Sequence, residues 1–277
     1  MKLRNFKNLF VMGGEVNLPK SVMGIISLSG LVLILLFWYL ISFFEIISTT
    51  ILPNPIDVIL SFGPLVTDNH LLANTFFSIK LNLGCYFWAL LVTIPLGFFI
   101  GLYPINNIVI GRYVDSVRYL PIPAISGILI AIAGLTVTLK VLFLSIGIGI
   151  YILPAICNKI NELQNPKNDS EYVYLQTIKT LGATPWQKFR EVYFPYVIGS
   201  VTGDIISLTG ISWSYLTICE IIYKDGAVNG IGALISVMSR QAHMAEVYAL
   251  LFLVVLIGVF QDVIFKWVDK KLFPWKY

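Results

Sequence analysis

Three acidic residues, Asp204, Glu220 and Asp262, stand in or beside long apolar runs. An unpaired charge in hydrocarbon costs several kcal/mol, so such an acid either has a partner or faces water along a path. Asp262 has Lys266 at the i, i+4 spacing and is expected to form a local ion pair. Asp204 lies a few turns into its run and is a candidate to face a water-filled path. Glu220, toward the other end, is a candidate for an interfacial position or a solute contact. Ser207, Thr209, Ser212, Trp213, Ser214 and Thr217 give the same stretch a polar face. Small hydroxyls either join helices or line a path, and both readings stand. Neither a metal-ligand cluster nor a Ser/His/Asp arrangement accompanies these residues, so no catalytic or metal residue is assigned. The chemistry expected is binding and passage.

A second polar constellation interrupts the apolar pattern. The segment from Glu171 to Pro195 carries Glu171, Gln176, Lys179, Gln187, Lys188, Arg190 and Glu191. Asn168 and Glu171 have the spacing of a capping box. Gly182 falls where a helix stops on a left-handed residue. Thr184-Pro185-Trp186-Gln187 then restarts a helix with a cap, a proline at the first position and a Gln at the third. The expectation is two short helices meeting at a sharp corner, ended by Pro195. Trp186, Phe189 and Tyr193 share one face, as do Tyr172, Leu175 and Ile178. These stripes either meet a partner or seat the segment against its own bundle. Lys179, Lys188 and Arg190 are placed to meet acidic or polar groups.

The elements that position these residues follow from composition. Of 277 residues, 57% are apolar and 12% charged, with mean hydropathy +0.82. A soluble domain carries about a quarter charged residues, so most of this chain belongs in a lipid bilayer. A net charge of +4 makes nucleic acid a poor partner. Cys85, Cys157 and Cys219 lie in apolar stretches without paired spacing and read as packing residues. Six spans near the ~20 residues a crossing needs are expected, at 22–46, 81–103, 122–137, 139–157, 196–222 and 247–267. Pro121 and Pro123 should break or kink the third.

Lys2, Arg4, Lys7 and Lys20 precede the first span, which reads as a retained anchor. Arg112, Arg118, Lys159, Lys167, Lys179, Lys188 and Arg190 lie in the even-numbered connections, and Lys266, Lys270, Lys271 and Lys276 at the end. That distribution predicts both termini in the cytoplasm. Lys80, Lys140, Lys224 and Arg240 are left for the outer side. Residues 52–69 read as a turn leading into an amphipathic outer helix. His70 and His243 read as isolated surface residues. The organisation is thus a cytoplasmic N-terminus, 1–21, and one membrane domain, 22–277, carrying the loop 168–195.

The run from Leu181-Gly182-Ala183 to Pro195 resembles the cytoplasmic EAA loop of ABC importer permeases. Leu52-Pro53-Asn54-Pro55, Ile94-Pro95-Leu96-Gly97, Pro121-Ile122-Pro123, Gly210 to Trp213, Glu220, Gly230-Ile231-Gly232 and Phe273-Pro274-Trp275 extend the likeness from about Leu52 to Trp275. The chain is most similar to the nitrate/sulfonate/taurine-type permeases, which include bicarbonate and pyrimidine-precursor relatives. Departures exist: Gln176-Thr177-Ile178 stands where Glu-Ala-Ala is usual, and Leu120 and Ile206 stand where basic residues are expected.

The resemblance implies an all-α type I ABC importer permease fold with six transmembrane helices and cytoplasmic coupling helices. It places the chain, as a homodimer, in the bacterial inner membrane. ATP and Mg would be bound by a separate pair of ATPase subunits, so this chain would be no enzyme and bind no cofactor. An extracytoplasmic binding protein would deliver a small solute, with an anion or a nitrogen or sulfur compound as the candidates, to the outer loops, 69–80 and 224–246. Coupling to the ATPase would run through Gln176, Lys179, Gly182, Ala183, Thr184, Pro185, Trp186, Phe189 and Arg190. The solute path would involve Asp204, Ser207, Ser212, Trp213 and Glu220. The absence of any Gly-Lys dipeptide excludes a P-loop on this chain. The competing reading is an ion-gradient-driven transporter or channel using Asp204 or Glu220; a membrane enzyme lacks its catalytic constellation.

Overall fold

The computed structural model describes residues 19–165, 169–222 and 229–277. Lys2, Arg4, Lys7, Lys167, Asn168 and Lys224 lie outside them, and with Asn168 the expected cap of the polar segment. Among the described residues all regular structure is helical. Four helices are long and apolar enough to cross a membrane, and six crossings result if each of two bent helix pairs counts as one.

Helix α1, Lys20–Phe43, is apolar all round and mostly exposed. Only its end meets the body, where the Trp38 indole donates to the Pro53 carbonyl at 3.0 Å and stacks on Phe252. Two single-turn helices follow, α2 (Pro55–Leu60) and α3 (Phe62–Thr67), with Asn54 capping the first. Helix α4, Leu71–Leu102, is ten residues longer at its start than the expected second span. At 1.5 Å per residue it reaches about 48 Å, past the ~30 Å of hydrocarbon. Residues 71–80 are therefore helix and not an outer loop. Asn74, Ser78 and Asn82 are buried on one face there, so their polarity marks internal partners.

Helices α5 (Pro104–Val117) and α6 (Ile122–Ala133) meet at 101°. The break expected at Pro121 and Pro123 is present, and it falls between these two helices. Prolines 121 and 123 leave twelve helical residues, about 18 Å, before Gly134 turns the chain at φ +65°. Helix α7, Val137–Gln164, is the hub and packs along α4. A Cβ on Gly97 would lie 2.6 Å from Ile156, and one on Gly101 2.7 Å from Ile160. This glycine pair lets the two backbones approach. Gly97→Leu is expected to lower stability by about 1–3 kcal/mol through overpacking. Gly84→Ala, where a Cβ meets nothing, should hold or gain; thermal unfolding in detergent measures both.

The polar segment forms α8, Asp169–Thr180. Then α9, Pro185–Ser207, bends by 52° into α10, Thr209–Ile222. A short helix, α11 (Ile231–Arg240), precedes the last long one, α12 (Met244–Leu272). Lys266 and Asp262 form the expected ion pair at 2.6 Å. All three cysteines are buried and free. His70 is exposed, and so is His243, which lies 3.8 Å from Glu246.

Candidate functional site

The corner between α8 and α9 is built from backbone chemistry. Gly182 has φ +68°, its amide donates to the Lys179 carbonyl, and the Ala183 amide donates to Ile178. These two bonds are a Schellman stop, closing the carbonyls that α8 would leave open. Two residues on, the Gln187 amide donates to Thr184 Oγ1 and the Thr184 amide to Gln187 Oε1, the reciprocal pair expected from the sequence. Pro195, in contrast, ends nothing. Having no amide, it cannot accept the bond geometry of a regular turn, and residues 189–193 widen to a π-turn in which the Phe194 amide donates to Phe189. The chain passes straight from the corner into the membrane-crossing part of α9.

The two apolar stripes divide between the roles left open above. Leu175 is buried, and Phe189 packs edge-on against Phe98 of α4 at 5.2 Å. Burial also raises the pKa of the half-buried Tyr193 phenol, against a hydrogen bond with Gln164. Those residues seat the corner on the bundle. Leu181 and Trp186, 77% and 67% exposed, stand outward, with Trp186 stacked on Phe189 at 5.4 Å. Lys179, Thr184, Pro185 and Arg190 are exposed around them, while Gln176 and Ala183 are half-buried. The geometry is a rigid anchor carrying an apolar tip with a polar rim.

The path candidates separate. Asp204 and Ser207 are exposed and line a cavity of about 380 Å³ at the α9–α10 bend, facing Tyr151, Pro154 and Asn158 of α7 and Arg118. Ser212 and Trp213 are buried. Asn82 donates to Ser212 Oγ at 3.1 Å, Gln261 to Asn82 at 3.0 Å, and the Trp213 indole to Gln261 at 2.9 Å. That network joins α4, α10 and α12, so these two residues hold helices together.

Glu220, expected near an interface, is 1% exposed. It accepts from Ser78 Oγ at 2.7 Å and from the Gly232 amide at 2.8 Å. Ser78 Oγ also accepts the Ile231 amide, and Asn74 Oδ1 accepts the amides of Asn229 and Gly230. The first two amides of α11 are thus received by Ser78 of α4 and the carboxylate of α10, which also suits the helix dipole, while Asn74 holds the turn that leads in. Lys140, counted with the outer charges, is 1% exposed; its ammonium donates to the Asn229 carbonyl at 3.1 Å and lies over Phe77. Asn74, Ser78, Asn82 and Gln261 were not singled out by sequence. The i, i+4, i+8 spacing of the first three on one helix was the available signal.

Several permeases align along most of their length. A probable ABC transporter permease of Brucella abortus is 22% identical over 239 residues, 86% of this chain and 90% of the relative. A putative ABC transporter permease of Methanocaldococcus jannaschii is 25% identical over 226 residues, 82% and 79% of the two chains. The putative aliphatic sulfonates transport permease SsuC of Bacillus subtilis is 22% identical over 244 residues, 88% and 84%. Residues 93–274, which hold the corner, the bent α9–α10 pair, Glu220 and α11, match the family described as binding-protein-dependent transport system inner membrane component, and the chain belongs to that family of ABC transporter permeases.

Proposed function

We propose that this chain is the transmembrane subunit of an ATP-driven, binding-protein-dependent importer. It forms the solute path and receives the closure of its ATPase subunits through residues 168–195. The observation that carries the reading is the free-standing corner: a fixed backbone turn, an aromatic anchor on α4, and an outward apolar tip formed by Leu181 and Trp186. A helix tip laid in a partner's groove is a recurring recognition mode. Because α9 runs without a stop from the corner past Asp204 to the bend at Leu208, displacement of the tip is delivered to the cavity. In this reading ATP and Mg stay on the ATPase pair, two copies of the permease flank the path, and both termini face the cytoplasm. A binding protein brings the solute from outside. The aliphatic sulfonate named for the Bacillus relative is a candidate class only at the level of a small polar solute.

Co-expression with a candidate ABC ATPase subunit should yield a complex that purifies together. Trp186→Ala should weaken that complex by about 2 kcal/mol, roughly thirtyfold, as expected for an exposed aromatic anchor. Binding measured by surface plasmon resonance in detergent reads the change. An ATPase that binds both proteins equally removes Trp186 from the interface. No complex at all would favour the gradient-driven alternative.

A further inference from the structure

Asp204 sits one turn before the α9–α10 break. Among the described residues no hydrogen bond or ion pair reaches its carboxylate. An acid in an apolar crossing helix without a partner is maintained at a cost unless water or a ligand meets it. The cavity it lines is formed by two matched helix faces. Asp204 and Ser207 at the end of α9 and Ile211 at the start of α10 form one side, and Tyr151, Pro154 and Asn158, at i, i+3, i+7 on α7, form the other. Arg118 lines the same cavity, its guanidinium resting over Tyr119 at 5.5 Å and, among the described residues, in no ion pair with Asp204. Lys159, also lining it, is already held by Glu162 at 2.6 Å. One carboxylate and one guanidinium thus open onto the same space without neutralising each other.

We propose that this cavity is a solute subsite for a small molecule carrying a protonated nitrogen, held by Asp204, with its hydrogen-bond-accepting end turned to Arg118. The inference rests on the permease reading and deepens it. A plain monoanion would meet Asp204 as a like charge between low-dielectric walls, where repulsion is strong. Selectivity therefore follows the positive end of the solute, and Asp204 is the specificity-determining residue.

The test uses the full permease with its ATPase in liposomes, carrying Ser207→Cys. The introduced thiol, three residues from Asp204, is titrated with (2-trimethylammonioethyl) methanethiosulfonate and with the (2-sulfonatoethyl) reagent. Each rate is divided by that of free cysteine, and the unsubstituted protein gives the background of its buried thiols. The cationic reagent should react about tenfold faster, and adding Asp204→Asn should bring the ratio near one. Ile211→Cys serves as a second reporter should the first variant assemble poorly. A ratio near one with Asp204 present, a preference for the anionic reagent, or a thiol closed to both overturns the subsite. Loss of the ATPase from the unsubstituted complex would instead count against the permease reading.

Discussion

Gly182→Trp is expected to abolish nucleotide-driven coupling while leaving the membrane bundle folded. The residue holds φ +68°, a conformation costing an L-residue roughly 1–2 kcal/mol, and a Cβ there meets nothing within 4 Å. The strain is local and small beside the stability of the bundle. On the proposed reading the open space around the corner, flanked by Leu181 and Trp186, is the docking place of the ATPase. An indole placed there changes the angle between α8 and α9 and fills that space. ATP hydrolysis by the reconstituted complex should fall at least tenfold, about 1.4 kcal/mol or more in coupling free energy, with circular dichroism and elution volume unchanged. Gly182→Asn, whose side chain tolerates the left-handed region, should retain most activity. Full coupling in the tryptophan variant would mean that force enters elsewhere.

The corner was legible in sequence because its determinants are local. A left-handed glycine and a Thr–x–x–Gln box act within a few residues, and both formed as spaced. Pro195 was misjudged because its missing amide has two remedies, a stop or a widened turn. Packing of Phe189 and Phe194 on Phe98 selects the second. The exposed Asp204 and the buried Glu220 look alike in sequence, each an acid in an apolar run. What distinguishes them is residues 142 positions away on α4 and the following turn, information no spacing within one helix contains. The burial of Lys140 is hidden from the sequence for the same reason, since its acceptor is a backbone carbonyl 89 residues on. The third crossing shows the complementary limit. Its prolines announced a break, but the 101° angle is set by how α6 packs on α7 through Leu129, Phe143 and Ile150.

Glu220→Ala is expected to be the most damaging single change in the part of the bundle around α11. The substitution removes an acceptor from the Gly232 amide and from Ser78 Oγ, which itself receives the Ile231 amide. Hydrogen bonds to a charged acceptor contribute about 1.5–3 kcal/mol each, and donors left unmet in a dry interior lose that in full. The space left by the side chain is too enclosed for the cradle to rearrange: Gly230, at φ +99°, already lies against the carboxylate. Lys140 would also lose the nearby negative charge. A loss of about 3–5 kcal/mol follows, read as a fall of roughly 10 °C in Tm for the detergent-solubilised protein. Glu220→Gln keeps one acceptor oxygen and should lose much less, with Ser78→Ala between the two. If instead Glu220→Ala unfolds at the parent temperature but changes which solute is carried, Glu220 belongs to the path, and the cradle formed by Asn74 and Ser78 is sufficient for α11 without it.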